Sequence, residues 1–457
     1  MTAGASWRAP TWVVAMLALV LLGTAIVVPT LVGLLSVELS TDLEFGETGL
    51  GLAVSAFWAV TALAAPVAGR AADVRGWPSV AALGAVVTGG CLVGAAILVD
   101  SWPALVVVMM LAGVGYALCS PTSNLLVVRM APLRRRASVL GFKQCAPPLL
   151  MAVAGASLPV VASQHGWRWS MALGAVLPLA VLAALGCMRV AGAAARRSGE
   201  AGPRGRPARA AEGDPVVAPL RTVPVVAAAG LGTLSVATLT GFAVLTLVST
   251  GLSGVEAAAV VSAGSLAAVL VRLLSGGYLD SRPVDDLRLL YVVMGLAVLA
   301  LALVGVGLFG VDAGASMPGV RRWLVAGGVI LGLVAAWTWP ALLLLAVVRR
   351  TSRPGSASGV LQVGSGLGSA VGPMGFGVLS THGGRDWAWL AMAGLTVAAM
   401  ELVRRAGQSP DQGVTSAPLN DNYDKQLRST LVEPLRATRE TRRIHGLRSG
   451  RDPRGHP

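Results

Sequence analysis

The chain has 457 residues, of which 54% are hydrophobic and only 13% charged, and its mean hydropathy is +0.71. Soluble domains carry about 25% charged residues, so the composition excludes an ordinary soluble protein. Basic residues outnumber acidic ones 36 to 22, for a net charge of +14. The charges fall between apolar runs and in one tail, which excludes a nucleic-acid-binding surface.

A membrane-spanning helix needs about 20 mainly apolar residues. The first apolar run, Trp12 to about Leu35, exceeds the core of a signal peptide, about 7–15 residues, and is expected to be a retained span. Runs of this kind predict an all-α integral membrane protein with twelve spans. In the first half they cover about 11–36, 48–70, 79–99, 102–129, 137–162 and 167–190. In the second they cover about 222–249, 254–279, 287–311, 322–349, 355–380 and 385–404. The expected organisation is a six-helix bundle over 1–190, a polar linker over 191–221, a second bundle over 222–405 and a disordered basic tail over 406–457. The tail arginines Arg436, Arg439, Arg442 and Arg443 suit a weak membrane-surface association, at about 1 kcal/mol per basic side chain.

Loop charge predicts orientation. Arg70, Arg75, Arg129, Arg134, Arg135, Arg136, Arg349 and Arg350 gather on one side, and Glu38, Asp42, Glu44, Glu47 and Asp100 on the other. Both termini are therefore expected in the cytoplasm, with the protein multi-pass in the plasma or inner membrane. The four cysteines, Cys91, Cys119, Cys145 and Cys187, lie in apolar runs without CxxC or Cys/His spacing. They read as small buried hydrophobes, and no metal or cofactor is expected.

Two hydrophilic breaks repeat. Gly69, Asp73, Arg75 and Gly76 follow the second apolar run. Gly276, Asp280 and Arg282 follow the second run of the later half. Such duplication is how many secondary transporters are built. The stretch resembles the loop 2-3 motif of the major facilitator superfamily, G-x-x-x-D-[RK]-x-G-[RK]-[RK]. Gly69, Asp73 and Gly76 match, whereas Val74, Trp77 and Pro78 replace basic positions. The resemblance covers roughly residues 10–405 and implies that superfamily's two-bundle fold, a transport function, and gating roles for these residues, Asp73 and Asp280 above all. Two superfamily features are missing. Met109 stands where a buried fourth-span Arg is usual, and the fifth-span G-P-x-x-G-G motif is absent. Both departures weaken the proton-linked and efflux readings.

A second repeat relates Gly141-Phe142-Lys143-Gln144 to Gly359-Val360-Leu361-Gln362. Gly364, Gly366, Gly368 and Gly372 follow on or near one helical stripe, and suit close helix packing. Ionisable residues inside a span are costly and are functional candidates by default. The inventory is Lys143 and Arg272. Lys143 reads either as a lysine snorkelling to the headgroups or as an anion-binding cation with Gln144 beside it. The Phe142-Lys143-Gln144 string is similar to that of bacterial facilitators often assigned to small organic anions. Arg272 reads either as a structural ion-pair partner of Asp280 or the cytoplasmic gate, or as a guanidinium fork for a carboxylate. Tyr116 and Asn124 in the fourth span, Gln362 in the eleventh and Trp339 in the tenth complete the candidate substrate set. Pro121 is expected to kink the fourth span, and Trp337, Trp339 and Pro340 to mark a break in the tenth.

No Walker loop, nucleophile triad or intramembrane acid/base pair is present, so an enzyme is not expected. The lead expectation is alternating-access transport of a small organic anion by a monomer, with a coupling proton carried through Lys143 left open. The alternatives are drug or metabolite efflux and, from another class, a non-transporting receptor or scaffold.

Overall fold

The computed structural model describes residues 10–132, 135–197, 220–281, 286–309, 319–348, 350 and 354–407; within these, the side chains of 73, 137, 191–197, 275–281, 348 and 354–360 are left out of account. The described elements are all helical: α1 (Thr11–Leu34), α2 (Ser36–Asp42), α3 (Glu47–Arg75), α4 (Trp77–Leu98), α5 (Trp102–Met130), α6 (Arg136–Lys143), α7 (Ala146–His165), α8 (Trp167–Gly174) and α9 (Val176–Arg197), then α10 (Thr222–Val248), α11 (Gly254–Ser281), α12 (Asp286–Leu308), α13 (Gly319–Val348), α14 (Pro354–Gly383) and α15 (Arg385–Gly407). Most of the expected linker and all of the tail after Gly407 lie outside the described residues.

Among the described residues, eleven spans are long and apolar enough to cross a membrane, with α6–α7 and α8–α9 each counted as one. The twelfth is α14, 30 residues long, whose Gly and Ser content lowers its apolarity. The reason is packing. A methyl group on Gly372 would sit 2.6 Å from the Leu234 carbonyl of α10, and Gly364 and Gly368 abut Val226 and Gly230 in the same way. Both series advance by four residues in the same direction, so α10 and α14 are parallel neighbours. A second face of α14 meets α3, where Gly366 lies over Ala62 and Gly377 over Glu47. That register runs the opposite way, so α3 and α14 are antiparallel. Gly366 thus belongs to a different stripe from Gly364, Gly368 and Gly372. Small residues let backbones approach where lipid offers no hydrophobic drive.

The helices fall into two sets, α1–α9 and α10–α15. They meet through α3 with α14, α7 with α11, and α1 with α10. At the last of these, a Cβ on Gly33 would lie 2.7 Å from the Thr240 carbonyl.

Several boundaries differ from the sequence expectation, among them a break in the sixth span at Ala175, between α8 and α9. The fifth span is broken at Gln144-Cys145, because Pro147 and Pro148 remove two successive amide donors and leave the Lys143 and Gln144 carbonyls without i+4 partners. The tenth span is not broken at Pro340. A lone proline frees a single carbonyl, and α13 runs through it, as α5 runs through Pro121. Finally, α9 carries on to Arg197, past the expected end at Val190. Of the cysteines, Cys187 is exposed rather than buried.

Candidate functional site

The break in the fifth span sets the site. Lys143 is the last residue of α6 and is only 1% exposed. It does not snorkel outward. Its Nζ donates to Ser123 Oγ at 2.9 Å and to Asn124 Oδ1, both on α5. Ser123 Oγ in turn donates to the Ser120 carbonyl at 2.6 Å. An ammonium has three donors, and these two acceptors are neutral. Among the described residues no carboxylate lies within ion-pairing distance of Lys143. Burying a charge without a counter-charge is expensive, and only these neutral oxygens face this one.

Arg272 projects from α11 to the same break. One terminal nitrogen donates to the Gln144 carbonyl and the other to the Trp337 carbonyl of α13. The first acceptor is the carbonyl that Pro148 leaves open. Lys143, Gln144, Asn124 and Arg272 are therefore brought together. The Gln144 and Asn124 side chains are exposed, and Arg272 is half-buried. The indole nitrogen of Trp337 is buried without a hydrogen-bond partner.

The other candidates stand apart from this hydrogen-bonded group. Tyr116 makes edge contacts with Phe57 and Trp58 of α3. Gln362 is exposed on α14. Trp339 is 2% exposed and lines a small pocket inside the second helix set, with Ser235, Leu239 and Thr396. In the first repeated break, Gly76 adopts φ +83° between α3 and α4, a conformation that favours glycine. Gly69 has open space around it, and Arg75 is exposed at the end of α3. The side chains of Asp73 and Asp280 and the surroundings of Gly276 are outside the described set, as is Arg282 altogether.

Sequence reasoning missed the ion pairs that follow. Asp286, at the start of α12, is held by Arg350 through bonds of 2.7 and 2.8 Å, with both side chains under a tenth exposed. Glu47, at the start of α3, is bonded to Arg385 of α15 and to Ser380 Oγ of α14. Thr48 beside it bonds Thr381 Oγ1 at 3.0 Å and the Gly377 carbonyl at 3.2 Å. This cluster joins the two helix sets at the acidic face. Within the first set, Arg168 pairs with Asp42 at 3.0 Å. Asp42 lies outside the spans. Its carboxyl is held below the usual range by the Trp167 indole hydrogen bond and then by Arg168.

Comparison with known proteins places this arrangement. No curated protein matches the sequence. Solved structures match the fold over most of the chain. The xylose transporter XylE from E. coli, in a partially occluded inward-open conformation, gives a TM-score of 0.63 at 14% identity, covering 87% of this chain and 99% of that one. The nucleoside transporter NupG gives 0.61 at 14%, with the same coverages. A bacterial homologue of the human lysosomal transporter Spinster gives 0.58 at 14%, covering 86% and 97%. At such identities the likeness is one of fold alone. The family model described as Major Facilitator Superfamily matches residues 13–315. With that match over more than half its length, and with twelve spans in two packed sets, this multi-pass membrane protein belongs to the Major Facilitator Superfamily of transporters.

Proposed function

We propose that the protein carries a small organic anion, such as a monocarboxylate, by alternating access. The observation that carries this reading is the Lys143 ammonium, buried against only neutral oxygens, with the Arg272 guanidinium reaching the adjacent residue from the other helix set. Two cations contributed by two bodies suit a substrate gripped at their interface. Gln144 and Asn124 would add neutral contacts beside the two cations.

The halves 1–190 and 222–405 would rock as units about the repeated breaks at Gly69, Asp73, Arg75 and Gly76 and at Gly276, Asp280 and Arg282. The arginine-rich face would be cytoplasmic, with both termini on that side of the plasma membrane. A coupling proton, if used, would be carried by Lys143.

The test is counterflow of labelled lactate in proteoliposomes. Lys143→Ala and Arg272→Ala should each abolish uptake, while deletion of residues 406–457 should leave it intact. Undiminished uptake by both point variants would sink the site assignment.

A further inference from the structure

We infer that Arg272 is an interlock between the two helix sets, working through a backbone carbonyl that Pro148 leaves open for it. The inference concerns the regulation of the proposed anion site, but its mechanism and its test need no ligand.

The argument begins with the covalent structure of the fifth span. An uninterrupted helix would spend the Gln144 carbonyl on the amide of residue 148. Proline has no such amide. The carbonyl so freed takes its donor from Arg272 of α11, in the other set. Its second arm is anchored on its own set, at the Trp337 carbonyl of α13. The guanidinium is thereby a bridge, with its rigid planar fork fixed at one end and its detachable contact at the other.

The position of the bridge gives it leverage. Further along the same pair of helices, Gly155 of α7 packs on α11, where an added Cβ would lie 2.5 Å from Ser262 Oγ and 3.2 Å from the Ala258 carbonyl. Residues 144 and 155 are separated by roughly 16 Å along a helix, and 262 and 272 by about 15 Å. The contact at Gly155 is between close-packed backbones and can act as a pivot. The contact at Gln144 is a single charge-assisted hydrogen bond, toward the arginine-rich ends of both helices. Parting α7 from α11 at that end must break it and leave a carbonyl without its donor. Charge-assisted bonds are worth enough to shift a two-state ratio on the order of tenfold or more.

Pro148→Ala is the informative substitution, because it returns an amide to the Gln144 carbonyl from within the helix and makes Arg272 redundant there. Spin labels at Ser138→Cys and Leu274→Cys, both exposed near that end, would report the separation of α6 and α11 in nanodiscs, with the four native cysteines replaced by alanine. Without ligand, Arg272→Gln and Pro148→Ala should each move weight to longer distances by about tenfold in the ratio of populations, and the double variant should move it no further. Arg272→Lys, which keeps a charged donor, should fall between. Distances unchanged in Pro148→Ala, or fully additive shifts in the double variant, would overturn the interlock. Loss of lactate counterflow in Arg272→Gln with unchanged distances would also overturn it while sparing the anion site. Shifted distances with counterflow retained would do the reverse.

Discussion

Arg350 grips Asp286 with both terminal nitrogens, at 2.7 and 2.8 Å, and adds a bond of 2.8 Å to the Ala346 carbonyl. The pair ties the start of α12 to the turn that ends α13. Breaking one side of a buried pair strands the other charge and costs about 3–5 kcal/mol. Asp286→Asn should therefore lower the unfolding midpoint in detergent markedly. Asp286→Asn combined with Arg350→Met should recover part of the loss. An Asp286→Asn protein as stable as the parent would show that the pair contributes nothing.

Ser123 supplies one of the two neutral acceptors for the buried Lys143 ammonium. Ser123→Ala should destabilise by about 1.5–3 kcal/mol, the worth of a hydrogen bond to a charged group, whereas Ser123→Thr should retain most of the stability. Thermal unfolding of the two variants side by side decides this. Equal midpoints would mean that Asn124 alone satisfies the ammonium.

Glu38 sits on α2, outside the spans, with Oε2 buried and unpartnered. Burial pushes its carboxyl above the ordinary range. A raised folded-state value means that the folded protein prefers the protonated acid. The benefit is complete below the unfolded value, near 4.5, and is lost as pH rises through the folded value. Glu38→Gln should accordingly stabilise the protein at neutral pH and flatten the fall in stability above the ordinary carboxylate range. A variant with an unchanged pH profile would remove Glu38 from the account.

Glycine substitutions should separate by environment. Gly372→Leu drives a side chain into the Leu234 carbonyl and should cost about 1–3 kcal/mol or more, with loss of transport. Gly295→Ala on α12 meets nothing within 4 Å and should be neutral or stabilising by up to about 1 kcal/mol. Expression, midpoint and lactate uptake of the pair test the packing account directly.

The spans were legible in the sequence because hydropathy is a local property of some twenty residues, but the division of the α14 glycines between two faces, with Gly366 turned to α3, was not. The broken fifth span was open to reading too. Pro147-Pro148 removes two donors in succession, whereas the tenth span holds only Pro340, yet the tryptophans around Pro340 drew the expectation of a break there. Lys143 and Arg272 stood out because charge inside an apolar run is conspicuous. Their actual partners did not. Ser123 and the Gln144 and Trp337 carbonyls carry no sequence signal, since nothing local marks which polar group a long side chain will reach. Glu47 was read as a loop charge on the acidic face, and its pairing with Arg385 is set by how α3, α14 and α15 converge.

The two glycine-bearing faces of α14 bear on how the protein is made. A span enters the bilayer according to its apolarity, and α14 has given up much of that to fit against α10 and α3. Only its third face, with Val363, Leu367 and Val371 exposed, is strongly apolar. Since α3 and α10 are synthesised earlier, both are in place when α14 leaves the ribosome, and they offer it the surface that lipid does not. Integration of α14 is thus a step of assembly as much as of insertion, and a chain lacking α3 or α10 should leave this segment untranslocated.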